Sequence, residues 1–217
     1  MVYRQTEHTK AKKAGTRARI LKEARQLVTE GGFMAAAVAP VAKRSGIATG
    51  TIYRHFPSKA ELVAEVFRHA TEHELQAVTA ETQSDGTAQQ RLIKAIETFA
   101  LRALQAPRLA YALIAEPVDP LVEKERLSYR FAYAQAFEDL INEGMEQNEF
   151  VPQNASITSA ALVGMLAEAL VGPLAPEAMS YEEQLNERES LTQEHKQQLV
   201  NAITALSLRA VGLKSQP

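Results

Sequence analysis

The chain has 217 residues, 46% of them hydrophobic, with 24 Lys and Arg against 26 Asp and Glu and no cysteine. An apolar share of this size supports a sizeable core, and the lack of cysteine excludes disulfides, thiolate nucleophiles and cysteine-ligated zinc. The near-zero total charge hides an asymmetry: residues 1–59 carry 12 Lys and Arg against 3 Asp and Glu, a net +9, whereas residues 60–217 carry 12 against 23, a net −11.

A basic head on an acidic body points to a polyanion as partner of the head, against the plainer reading of a solvated, charged terminus. The opening MVYRQTEHTKAKKAG has no apolar stretch after its basic residues and is not read as a secretory signal. The most apolar later segment, 159–176, is interrupted by Glu168, Gly164, Gly172 and two prolines. A membrane span is therefore not expected there, and the chain reads as a soluble cytoplasmic protein.

Residues 1–15 are expected to be a flexible basic arm. Thr16 then serves as the N-cap of a first helix with an apolar stripe at Ile20, Leu21, Ala24, Leu27 and Val28. Gly31-Gly32 ends it, and Phe33 plugs a small core. A second helix starts near Val38 with Pro40 in its first turn, turning Val41 and Ala42 inward and Lys43 and Arg44 outward. Ser45-Gly46 breaks the chain, a short third helix runs to His55, and Pro57 stops it. Ser58 with Glu61 three residues on reads as a capping box for a fourth helix carrying Leu62, Val63, Val66 and Phe67.

The helical period persists beyond Gly86. Leu92, Ile96, Phe99 and Leu104 form a stripe ending at Pro107, and a short apolar segment stops at Glu116-Pro117. A long helix spans about 119–148, another 157–170, a polar loop 173–192, and a last helix 199–213. No alternating strand pattern and no internal repeat is present. The fold class expected is all-α, about nine helices: the arm (1–15), a three-helix helix-turn-helix DNA-binding domain (16–60), and a helical ligand-binding and dimerisation domain (61–217).

Two short helices joined by a turn containing Gly46 suit a helix-turn-helix, whose second helix enters the DNA major groove. The residue types of GIATGTIYRHFPSK (46–59) suit that task. Thr49 and Thr51 offer short hydroxyls for phosphate or a base and methyls for thymine. Gly50 lets the backbone approach the duplex. Tyr53 reaches a phosphate, Arg54 a guanine or a phosphate, and Lys59 a phosphate at the start of the next helix. His55, beside Phe56, reads as a group bonding backbone at the junction with the fourth helix in preference to a DNA contact. Lys10, Lys12, Lys13 and Arg17 add nonspecific attraction in preference to tracking the minor groove.

From Arg17 to Val63 the chain resembles the DNA-binding domain of the TetR (tetracycline-repressor) family. The residues that carry the likeness are Ile20-Leu21 with Ala24, Gly32-Phe33, Val38 with Val41-Ala42, Ser45-Gly46-Ile47, Gly50 to Phe56, and Ser58-Lys59 with Leu62. Tyr53-Arg54-His55-Phe56 followed by Ser58-Lys59 is the most specific part. The resemblance implies DNA contacts from Thr49, Gly50, Thr51, Tyr53, Arg54, His55 and Lys59, together with Lys43, Arg44 and Ala37. It departs at Ala37 and Ala48, where the family usually has a capping Ser or Thr. Thr49 is the alternative cap for the third helix.

By the same resemblance the acidic body senses a small-molecule effector and forms a homodimer on double-stranded DNA. Phe99, Leu104, Leu113, Phe131, Tyr133 and Phe137 either line a cavity or pack a core, and Arg102, Arg108, Tyr129 and Arg130 either orient an anionic ligand or face solvent. Leu162, Met165 and Leu166, on a helix rich in Ala and Gly, and Leu199, Ile203 and Leu206 of the last helix are expected to meet their copies in a second subunit. His69 and His73 have metal-binding spacing, with Glu65, Glu72 and Glu74 nearby, but a solvated face is the preferred reading. No cofactor, metal or catalytic residue is expected, because no phosphate loop, nucleophile elbow or metal-ligand set is visible. The expected function is a ligand-responsive regulator, a repressor released from a palindromic operator by a hydrophobic effector. The alternative is a helix-turn-helix protein governed by a protein partner.

Overall fold

The computed structural model describes residues 7–176 and 192–213. Among them it contains nine helices and no strand, only an isolated bridge between Phe150 and Leu213. Residues 1–6 of the expected arm and most of the expected polar loop, 177–191, lie outside the described residues.

Helix α1 spans Glu7–Ala35, so residues 7–15 are helical rather than an irregular arm. Thr16 is not its N-cap: it lies inside the helix and donates from Oγ1 to the Lys12 carbonyl at 3.0 Å. The sequence between Glu7 and Thr16 holds no proline and only one glycine, so nothing stops the helix from extending. The expected break at Gly31-Gly32 is present as a sharp kink, with Gly32 at φ +74°. A Cβ there would stand 2.5 Å from Glu116 Oε2, so any side chain would be strained by the positive φ and would also push aside the carboxylate that accepts from the Phe33 N–H.

Helices α2 (Val38–Arg44) and α3 (Thr49–His55) follow, then α4 (Lys59–Thr82), α5 (Ala88–Gln105), α6 (Pro107–Ile114), α7 (Pro120–Glu146), α8 (Ala155–Leu174) and α9 (Gln193–Val211). Their starts follow from local chemistry. Ser58 Oγ accepts from the Glu61 N–H, Thr87 and Gln90 form a reciprocal capping box, and Asp119, Asn154 and Thr192 each cap a helix. Pro107 and Pro120 occupy first turns, where a missing N–H costs little.

Two apolar clusters form the core. One unites the head, from Ile20, Val28 and Phe33 through Ile52 and Phe56 to Phe67, and it also takes in Leu109, Leu113 and Val122 from α6 and α7. The other fills the body around Leu92, Ile96, Phe137, Ile141, Phe150, Leu162 and Leu166. Each fully buried Phe, Leu or Ile contributes roughly 1.5–3 kcal/mol. Helix α4 belongs to both clusters, through Leu62 to Ala70 at one end and Val78 at the other. Helix α8 is longer than the sequence suggested, and by length and composition it is apolar enough to cross a membrane. Its Leu162, Leu166, Leu170 and Leu174 are nonetheless buried against the other helices of the body.

Candidate nucleic-acid interface and cavity

Helices α2 and α3 are anchored by Val38, Val41, Ala42 and Ile52. Between them Gly46 takes φ +64°, and the Ile47 N–H bonds the Ala42 carbonyl at 3.0 Å. This turn leaves one face of α3 outward: Thr49, Gly50, Tyr53 and Arg54 are exposed, Tyr53 to 48%, while Thr51 and His55 are half-buried. Lys59, one turn beyond, is exposed at the first position of α4. Ala48 is the N-cap of α3 and Ala37 that of α2, neither with a side-chain bond, so Thr49 does not serve as the cap.

Three head residues differ from expectation. Arg44 does not face out freely, because it grips Glu30 through two nitrogens at 2.5 and 2.8 Å and Glu23 at 3.2 Å. That pairing holds the Glu30 carboxyl down to about 2. Arg17 lies over the Phe56 ring at 4.8 Å and bonds Glu65 at 2.8 Å, tying α1 to α4. His55 does not bond backbone through Nδ1, which is buried without a partner. Burial, with Lys13 and Arg17 nearby, holds its pKa below the ordinary value. Lys43 remains exposed beside the turn.

The body holds a partly open cavity of about 100 Å³ between α4, α5, α6, α7 and α8. Of the predicted lining residues Phe99, Leu113 and Tyr133 reach it. Leu104 and Phe137 are buried in the body core instead. Phe131 is 66% exposed, because it stands two residues from Tyr133 and so about 200° around the helix. Sequence reasoning missed Phe67, Thr71 and Glu74 of α4, Arg126 of α7, and Val163 and Ala167 of α8. The signal was there: residues 67, 71, 74 and 78 share one helix face, where Thr71 and Glu74 interrupt an apolar stripe.

Polar groups meet at this cavity. Arg102 bonds Glu74 at 2.5 Å and approaches His73 Nδ1 at 3.4 Å. The Tyr129 hydroxyl touches Glu72 and the Arg68 carbonyl, each at 3.2 Å, and burial pushes its pKa up to about 12. Arg126, buried, donates to the carbonyls of Ala112, Leu113 and Glu116 at 3.2, 3.0 and 2.8 Å and pairs with Glu123. The Ala112 and Leu113 carbonyls belong to the last turn of α6, where a cation suits the helix dipole, and that of Glu116 to the loop after it. Glu116 in turn accepts from the Phe33 and Met34 N–H groups at 3.0 and 3.4 Å. A continuous set of bonds thus joins the cavity wall, the end of α6 and the kink in α1. Among the described residues no group of three His, Asp or Glu side chains is placed to hold a metal ion.

Of the predicted subunit-contact residues, Leu162, Leu166 and Ile203 are buried within the chain and present no outer surface. Met165 and Leu199 are half-buried and Leu206 is 43% exposed. Ile157, Ala160, Ala161 and Gly164 are exposed on the outer side of α8.

An exposed short helix carrying hydroxyls, a tyrosine and cations, set on a helical body with an interior cavity, defines a helix-turn-helix regulator of transcription. Residues 20–66 match the family of bacterial regulatory proteins named tetR, and residues 85–170 match a tetracyclin repressor-like C-terminal domain. The chain belongs to this TetR family. It is 32% identical over 117 residues to the HTH-type transcriptional repressor KstR2 of Rhodococcus jostii, covering 54% of this chain and 57% of KstR2. It is 28% identical over 172 residues to the HTH-type transcriptional regulator UidR of Escherichia coli, covering 75% and 86%. The fold matches the crystal structure of the transcriptional regulator FadR from Bacillus subtilis, a complex with stearoyl-CoA, at a TM-score of 0.70 and 17% identity over 89% of this chain and 98% of that one. It also matches FadR from Bacillus halodurans, at 0.71 and 17% over 92% and 97%.

Proposed function

We propose that this protein is a ligand-responsive repressor. Two copies bind a near-palindromic operator in the cytoplasm and leave it when a small, mainly apolar effector fills the body cavity. The observation that carries this reading is the sharing of elements between head and cavity. Helix α6 forms part of the cavity wall and also packs its Leu109 and Leu113 into the head cluster. An occupant that displaces Arg126 or Leu113 shifts the end of α6, hence Glu116, hence the head. The response can be no larger than the effector's differential affinity for the DNA-competent and released states.

On the DNA side, Tyr53 and Lys59 grip phosphates, while Thr49, Thr51 and Arg54 face base edges with Gly50 allowing close approach. Lys43 adds a phosphate contact, and Arg44 holds α2 to α1 beneath it. Two such heads about one DNA turn apart would read the two half-sites. The outer faces of α8 and α9, with Ile157 and Leu206 exposed and Met165 and Leu199 half-buried, would form the subunit contact. That the Bacillus subtilis FadR, which shares this fold, is in complex with stearoyl-CoA supports an effector with a substantial apolar part. Selection of bound sequences from a random duplex pool tests the reading: an enriched inverted repeat is expected, and recovery of DNA without sequence preference would overturn it.

A further inference from the structure

The cavity wall is apolar over most of its extent, at Phe67, Phe99, Leu109 and Val163, yet three guanidinium groups line it against one carboxylate. Glu74 is already engaged by Arg102, and Arg126 by the end of α6 and Glu123. Arg130 is exposed and makes no ion pair among the described residues. Beside these groups Thr71 is 6% exposed, lines the cavity, and its Oγ1 has no hydrogen-bond partner.

The pairing of α4 with α7 brings the two unmet groups to one level. Arg126 lies over the Phe67 ring at 5.9 Å, and the Phe67 and Tyr129 rings are 6.1 Å apart. One helical turn further on, α4 carries Thr71 and α7 carries Arg130. A buried hydroxyl without a partner is a cost that a ligand oxygen removes. An unpaired guanidinium at the edge of an apolar pocket favours a carboxylate, with which it forms a charge-assisted bond, over a neutral or cationic group. The space present, about 100 Å³, is smaller than a cavity of about 150 Å³ that binds benzene, so it takes a short chain or part of a ring, with the polar end reaching out past the exposed Arg130.

We infer that the effector is an apolar monocarboxylic acid, its ring or chain among Phe67, Phe99, Leu109 and Val163, its carboxylate read by Arg130, and one of its oxygens accepting from Thr71 Oγ1. The inference rests on the cavity being the effector site. Cations are disfavoured by the surrounding arginines, and neutral isosteres of the acid leave Arg130 unmatched.

The test uses the full chain, with calorimetric titration of cyclohexanecarboxylate, phenylacetate and octanoate and of the carboxamide of each. Affinity for the DNA recovered by selection is measured in the same samples. At least one acid is expected to bind about tenfold or more tightly than its amide and to lower DNA affinity. Arg130→Gln is expected to abolish that preference while leaving amide binding unchanged. Thr71→Val, which deletes an unbonded hydroxyl, is expected to weaken the acid several-fold with the unliganded melting temperature preserved. Equal affinity for acid and amide, an acid preference that survives Arg130→Gln, or binding of none of the six compounds overturns the assignment. If one of those results comes with sequence-selective DNA binding intact, the regulator reading stands. Loss of any DNA selectivity in the unliganded protein overturns the function beneath it.

Discussion

Gly32 is the residue on which the head's geometry turns. Its positive φ disfavours any side chain, and a Cβ would meet Glu116. Gly32→Ala is expected to cost about 2 kcal/mol, read by chemical denaturation; an unchanged midpoint would contradict this. Glu30 has a different signature. The bond from Arg44 holds its folded-state pKa near 2, below the ordinary 4.5 of the unfolded chain. Its stabilising contribution is therefore complete above about pH 4.5 and fades as pH falls through that window toward 2. Melting temperatures of Glu30→Gln and the wild type should converge toward pH 2 and separate near neutrality. A constant difference across the range would contradict the pairing.

At the scale of elements, α6 is short yet both lines the cavity and packs into the head cluster. Its end is held by Arg126 and its following loop supplies Glu116 to the head. Replacing Arg126 by Met should leave three carbonyls short of donors. A loss of about 3 kcal/mol is expected, together with a blunted effect of any effector on DNA affinity. Denaturation and binding titrations of the same variant check the two halves separately. Much of this scale was legible beforehand. Glycine, proline and capping residues marked most helix ends, and the spacing of Leu92, Ile96 and Phe99 marked a buried face. The start of α1 was misread because basic residues suggest an arm while carrying good helix propensity. The ion pairs of Arg17 and Arg44 were invisible, since a partner 14 or 48 residues away leaves no periodic trace. On α7, counting aromatics without tracking the helix angle placed Phe131 inside, whereas Tyr129, Tyr133 and Phe137 are the ones that point inward.

For the whole molecule the question is association. The outer side of α8 has Ile157 68% exposed among small residues, whereas Leu162 is buried in the chain's own core. Ile157→Glu combined with Leu206→Glu is expected to give monomers in sedimentation with little loss of fold. Leu162→Ala should instead cost about 2–5 kcal/mol whatever the subunit state. A dimer that survives the double change would place the contact elsewhere. The head's +9 against the body's −11 further predicts steep weakening of DNA binding with salt, because phosphate contacts release counterions.

All of these levels converge on the outward face of α3 and the first residue of α4. The most direct measurement is fluorescence anisotropy of the selected duplex with wild-type protein and with Tyr53→Phe combined with Lys59→Ala. Loss of two phosphate contacts should weaken binding by roughly tenfold or more, nearly equally across sequence variants of the site, and flatten the salt dependence. Unchanged affinity and an unchanged salt slope in the double variant would show that DNA, if bound, lies against some other surface.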